Sequence, residues 1–248
     1  MLMTVTGKDP SASNYGELAG IRVLITGLSP SCGVDVARAF ADHRGRLIVH
    51  AEEATPETDV VAGALMETAS EVALFTGAYV DHASAVRFAQ NAAQTFGGID
   101  AVINLIPIET ADVANRASLT DIEDLVTEKL STPLAISRIA ANRMKLLLTE
   151  GLVLNIMTMP TPRSAAEAML AGVVRSALAG MTRDEAKTQA PSGIRVNAIG
   201  PRAAMADDGA CLASEPDIAA LALYLASKRG RTLTGHVFDA AGVASRRC

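Results

Sequence analysis

Short apolar runs rich in β-branched residues alternate along this chain with longer Ala-rich stretches whose apolar positions recur at helical spacing. The runs predict strands over 22–26, 47–50, 71–75, 101–105, 152–157, 195–198 and 236–239. The stretches between them predict helices over 33–42, 57–68, 84–96, 119–148, 163–189 and 216–227. Such alternation forces parallel pairing, because each crossover helix returns the chain to the same end of the sheet. The pattern therefore predicts an α/β protein with a doubly wound parallel sheet of about seven strands and helices on both faces. No repeat, low-complexity tract or linker divides the chain, so residues 20–248 read as one domain. Residues 1–19 read as a loose leader before Ile21 opens the sheet. Pro133, inside the 119–148 pattern, should kink or split that helix.

Composition narrows the function classes. The 248 residues carry a formal charge of −5, and the basic residues are scattered, so no electrostatic footprint for nucleic acid or an anionic membrane is present. No apolar run reaches a membrane span, and the polar N-terminus lacks the apolar core of a signal peptide. Three cysteines, Cys32, Cys211 and Cys248, show no metal-ligand spacing. The expectation is a cytoplasmic, reduced protein without a metal. His43, His50, His82 and His236 are unclustered and read as solvated or core residues. Only three tyrosines occur, Tyr15, Tyr79 and Tyr224, so a mechanism that needs one has few candidates.

The segment from Ile21 to Gly33 reads as an apolar strand, a loop and the start of a helix. In a dinucleotide-binding unit the strand ends in a tight glycine turn and the pyrophosphate meets N–H groups at the helix N-terminus. Glu52 follows the second strand, nineteen positions after Gly33. A carboxylate there accepts hydrogen bonds from ribose hydroxyls and repels a 2′-phosphate, so NAD is favoured over NADP. Thr26, Gly27, Ser29, Ser31, Gly33, Glu52 and Asn104 are the candidate cofactor-binding residues. A solvated strand end is the competing reading of Glu52.

Six segments, in order, resemble the short-chain dehydrogenase/reductase family: Thr26-Gly27 with Gly33, Phe96 to Asn104, Gly151 to Ile156, Gly180 to Arg183, Gly193 to Pro201, and Leu223 to Ser227 before Thr234-Gly235. The resemblance implies a Rossmann-type fold from Gly20 to Gly242 and a catalytic set of Asn, Ser, Tyr and Lys. It puts Thr158 at the serine, Ala171 at the tyrosine thirteen residues later, Arg175 at the lysine and Lys129 at the asparagine. Arg cannot exchange its proton as Lys does, and loss of a positioned general acid costs a factor of about 10² to 10⁴.

Cofactor positions depart from the family pattern as well. Ser31 replaces the middle glycine of the loop, Pro30 removes an N–H, and Leu105-Ile106-Pro107 replaces small residues above the fourth strand. Tyr79 and Val80 fall at an adenine-contacting acid, for which Asp81 is a nearby substitute. Arg202 replaces a glycine, Ala206 replaces a threonine, and the loop from Pro201 to Asp217 is short.

The resemblance thus implies an oxidoreductase scaffold, with NAD binding weak or lost, acting as a binding, sensing or subunit-partner protein. Two alternatives stand beside it. One is an active NAD-dependent oxidoreductase with a water held by Thr158 as proton donor and Arg175 or Lys129 supplying charge. The other is a cofactor-independent lyase similar to the halohydrin dehalogenases. Bland roles compete at each position: a helix-anchoring Arg175, a backbone-bonded Thr158 and an exposed or interface Lys129. The resemblance also implies a homo-oligomer, dimer or tetramer, built on the helices 119–148 and 163–189, or a hetero-oligomer with an active relative. A small-molecule ligand is the expected partner.

Overall fold

The computed structural model describes residues 15–113, 118–201 and 215–239. Along each central strand, successive side chains face opposite sides of the sheet. In β1 (Arg22–Thr26), Val23 and Ile25 point to one layer and Leu24 to the other. The same alternation runs through β2 (Arg46–Ala51), β4 (Ala101–Pro107) and β5 (Gly151–Thr158). Both faces of these strands are apolar, as a sheet covered on both sides requires.

With β3 (Glu71–Thr76), β6 (Ile194–Gly200) and β7 (Val237–Asp239), the described residues form a seven-stranded sheet in the order β3-β2-β1-β4-β5-β6-β7. All pairings are parallel. The strand order reverses between β1 and β4, and that switch point opens a crevice at the carboxyl ends of the strands. Helices α1 (Val34–Asp42), α2 (Pro56–Thr68) and α7 (Glu215–Ala226) cover one face. Helices α3 (His82–Thr95), α5 (Leu119–Leu146) and α6 (Ala165–Gln189) cover the other. The short α4 (Thr110–Val113) follows β4 and has no counterpart in the sequence expectation.

Local chemistry starts most of these helices. Thr55 caps α2 ahead of Pro56, Asp81 and Ser84 form a capping box on α3, Ser118 and Asp121 form another on α5, and Ser164 caps α6. Each side chain satisfies an N–H that has no partner inside the helix. Helix α1 differs: its cap is Gly33, in the left-handed region at φ 88°, with no side-chain cap of its own. Pro133 does not split α5, which runs unbroken across it. At the N-terminal end the expected looseness stops short of Tyr15: Leu18 is buried and Tyr15 packs on the same apolar cluster.

Candidate functional site

Two adjoining clefts open at the carboxyl ends of β1, β2, β4 and β5. The larger, about 870 Å³, is bordered by Thr26, Gly27, Ser29, Ser31, His50, Glu52, Tyr79, Leu105 and Lys129. The smaller, about 600 Å³, is bordered by Ser31, Cys32, Gly33, Leu105, Pro107, Thr158 and Glu215. Ser31, Leu105, Pro107 and Glu109 border both, so the glycine loop and the end of β4 form the divide.

The loop between β1 and α1 is held by its own backbone. Ser29 N–H donates to Cys32 O and Cys32 N–H donates to Ser29 O, each at 3.1 Å, while the Ser29 and Ser31 hydroxyls meet at 3.1 Å. Gly27 and Gly33 both have positive φ, 75° and 88°. A Cβ at Gly27 would stand 2.4 Å from Leu105 O, and one at Gly33 would stand 2.0 Å from Leu105 Cδ1. Glycine is therefore required twice over, by backbone angle and by the approach of Leu105. At the N-terminus of α1, Asp35 N–H donates to Glu215 Oε1 at 2.9 Å.

In the larger cleft, the His50 imidazole stacks on the Tyr79 ring with centroids 4.3 Å apart and planes 8° from parallel. His50 Nε2 lies 3.0 Å from Gly77 O. Burial pushes the His50 pKa down, so the ring stays neutral, with the Gly77 hydrogen bond and the Glu52 charge opposing. Burial and the nearby Glu52 carboxylate both push the Tyr79 phenol up. Glu52 sits exposed just beyond β2, on the cleft edge. Asp81, the nearby substitute considered for an adenine contact, is committed elsewhere: it accepts from Ser84 N–H at 2.6 Å as the cap of α3. That bond, with the Ser84 hydroxyl, holds its carboxyl below the usual range.

The positions marked by the catalytic resemblance do not converge. Thr158, at the end of β5, lines the smaller cleft with Cys32; burial and the Glu215 charge push the Cys32 thiol up, with the Thr158 side chain opposing. Lys129 borders the larger cleft with Nζ 2.8 Å from Asp112 Oδ2. Arg175 borders neither: its Nη1 donates to Pro201 O at 3.1 Å and its Nη2 pairs with Asp239 Oδ1 at 2.6 Å. It anchors α6 to the ends of β6 and β7. Ala171 is fully buried and likewise borders neither cleft.

Asn104 needs correction as a cofactor-contacting side chain. It is fully buried, and both ends of its amide are engaged by protein. Thr26 Oγ1 donates to its Oδ1 at 2.9 Å, while its Nδ2 donates to Ser137 Oγ at 2.9 Å and Asn155 Oδ1 at 2.7 Å. The register Thr26↔Asn104↔Asn155 sets these residues in a row across three strands. The amide ties β1, β4, β5 and α5 together. Arg202, Ala206 and most of the 201–217 loop, with Cys211 and Cys248, lie outside the described residues.

Glu215, Cys32 and Glu109 were not singled out as site residues by sequence. Glu215 meets Asp35 across 180 residues of chain, a separation at which no local pattern signals contact. Among the described residues no group of three His, Cys, Asp or Glu could hold a metal ion, and no helix is long and apolar enough to cross a membrane.

Sheet order, glycine turn and clefts at the switch point define a Rossmann-type α/β protein with its ligand crevice at the strand ends. The chain belongs to the short chain dehydrogenase family, whose sequence profile matches residues 22–208. It carries that family's oxidoreductase scaffold. It is 29% identical over 248 residues to 3beta-hydroxysteroid dehydrogenase 1 of Eggerthella lenta, covering 89% of this chain and 92% of the relative. It is 26% identical to momilactone A synthase of Oryza sativa subsp. japonica, covering 92% and 91%. Among solved structures, an NADH-dependent reductase complexed with NAD superposes with a TM-score of 0.73 at 19% identity, covering 92% of this chain and 97% of that one. YwfH, an NADPH dependent reductase, gives 0.73 at 21% identity, covering 90% and 99%. The two neighbours use different cofactors, so the shared fold does not select one.

A dinucleotide can be tested against the geometry in parts. The larger cleft has room for the adenosine part, and Glu52 stands on its edge. At the pyrophosphate end the donors are partly taken. One N–H at the N-terminus of α1, that of Asp35, is met by a carboxylate, and the loop N–H groups of Ser29 and Cys32 bond within the loop.

Proposed function

We propose that this protein binds a small molecule in the switch-point crevice and does not perform the family's tyrosine-dependent hydride transfer. The observation that carries this reading is the dispersal of the catalytic positions. Ala171, which the family resemblance puts at the proton donor's position, is buried, and Arg175 is tied to Asp239 at 2.6 Å, away from both clefts. Thr158 and Lys129 border different clefts, which gives the water-relay alternative no common centre. The lyase alternative leaned on Arg175, and no contact of that residue favours it.

For dinucleotides the reading is weak binding, with NAD(H) preferred to NADP(H) because Glu52 would repel a 2′-phosphate. The protein acts in the cytoplasm as a homo-oligomer, in keeping with a family that is commonly oligomeric. Exposed Met169 and Val173 on α6 supply apolar surface for the pairing, and a monomer in light scattering would refute that part.

The experiment is a steady-state assay with NADH and NADPH across a panel of aldehydes and ketones. The expected result is turnover far below the 1–10³ s⁻¹ or so common to enzymes. Turnover within that range overturns the proposal.

A further inference from the structure

We propose that Glu215 is a built-in anion at the phosphate position of α1, and that it selects uncharged ligands over pyrophosphate-bearing ones. The inference rests on the reading of the crevice as a small-molecule site, and it assigns the residue that sets its charge preference.

A nine-residue helix capped by glycine presents N–H groups and partial positive charge at its start. In α1 that position is already answered: Asp35 N–H donates to Glu215 Oε1 at 2.9 Å. Glu215 is the first residue of α7, and α7 packs beside α1, so the carboxylate is delivered by a rigid neighbour. Part of the loop leading to α1 is also closed to a phosphate. Ser29 and Cys32 N–H groups bond each other's carbonyls, and Pro30 has no N–H. Ser31, which the family resemblance puts at the middle glycine, carries a side chain where a pyrophosphate would approach the backbone, its hydroxyl 3.1 Å from that of Ser29.

Charge around the clefts acts in the same direction. Lys129 is the one lysine or arginine among the described residues lining them, and Asp112 pairs with it at 2.8 Å. His50 contributes no positive charge, being buried and neutral. Glu109 adds negative charge to the cleft that Glu215 lines, and Glu52 to the adjoining one. A diphosphate would bring two further negative charges against this carboxylate with no unpaired lysine or arginine among the described residues lining the clefts to offset them, whereas an uncharged nucleoside meets no such cost.

The test is isothermal titration of the wild type, E215Q and E215A with adenosine, ADP and NADH. E215Q keeps an amide oxygen for Asp35 N–H and removes the charge; E215A removes charge and bulk together. ADP and NADH should bind E215A at least tenfold more tightly than wild type, about 1.4 kcal/mol, with E215Q between the two. Adenosine affinity should stay within twofold across the three proteins. If E215A does not fold, E215Q carries the comparison. The inference is overturned if ADP binds neither variant more tightly than wild type, including the case in which it binds none. It is also overturned if adenosine gains as much as ADP, because the obstruction would then be steric and not electrostatic. Carbonyl turnover by the wild type with NADH would refute the proposed function and leave this ratio unaffected, so the two failures are distinguishable.

Discussion

Replacing Asn104 by Ala tests whether this residue serves the fold or a ligand. The side chain is fully buried and makes three short hydrogen bonds: from Thr26 Oγ1 at 2.9 Å, to Ser137 Oγ at 2.9 Å and to Asn155 Oδ1 at 2.7 Å. The three losses are unequal. Thr26 borders the larger cleft, so water can replace its partner. Asn155 is 2% exposed, and its Oδ1 would lose a donor inside the sheet, at roughly 1–3 kcal/mol for a buried group left wanting. Adding the Ser137 bond and the void left by the amide gives roughly 3–4 kcal/mol. For a domain of this size that is roughly 6–15 °C in melting temperature. The chain has no Trp, so urea and thermal unfolding are followed by far-ultraviolet circular dichroism. T26V alone should cost about 1 kcal/mol, and T26V/N104A less than the sum, because the two share a bond. A loss below 1 kcal/mol in N104A, or strict additivity in the double variant, would refute the network as a structural unit. Intact stability with altered ligand affinity would return Asn104 to the binding site.

Three further outcomes follow from the same geometry. G33A should be destabilised by about 1–2 kcal/mol for the left-handed backbone plus the overlap with Leu105. In an L105A background the overlap is relieved and the backbone cost remains, so an equal penalty in both backgrounds in urea unfolding would contradict the packing described. The pKa of His50 is depressed from 6.5 in the fold, so the unfolded chain binds the extra proton first and stability falls as pH drops below 6.5. H50F should be less sensitive between pH 8 and 5, and a stability difference from wild type that stays constant over that range would refute the assignment. A171Y should cost about 1–3 kcal/mol by overfilling a buried position and restore no NADH-dependent carbonyl reduction, because Arg175 stays with Asp239; ordinary turnover in that variant would refute the dispersal argument.

The fold was legible in the sequence because a doubly wound sheet writes itself locally. Buried strands are apolar throughout, and helix starts carry Thr55-Pro56, Asp81, Ser118 or Ser164, so most predicted boundaries stand within two residues of those observed. At Pro133 a local rule favoured a kink or a split, and α5 is not split there. The short α4 was missed because four residues hold no periodicity. At the site, residue types and cleft edges were legible for Thr26, Gly27, Ser31, Glu52 and Thr158. Partners were not, since Arg175 with Asp239, Lys129 with Asp112 and Glu215 with Asp35 are set by how helices dock on the sheet. Asn104 shows the difference sharply: a strand-end Asn beside a cofactor loop reads as a ligand contact, yet its amide bonds Thr26 on β1, Asn155 on β5 and Ser137 on α5.

These contacts divide the family's marks by the direction in which each residue bonds. Thr26 and Asn104 bond into the sheet, and Gly27 and Gly33 give the turn its backbone angles; these carry the resemblance and serve the scaffold. Ser31, Leu105 and Pro107, where the sequence reading expects departures, border the clefts. A sequence resemblance built from residues of the first kind reports the scaffold faithfully, because the scaffold's hydrogen bonds demand them whatever the crevice holds. It carries much less information about chemistry, which depends on what projects into the crevice and on charges delivered from distant elements. Glu215 is the clearest instance. It lies outside every marked segment, yet its one bond to Asp35 N–H changes the sign of charge at the position where such a scaffold would otherwise receive a phosphate.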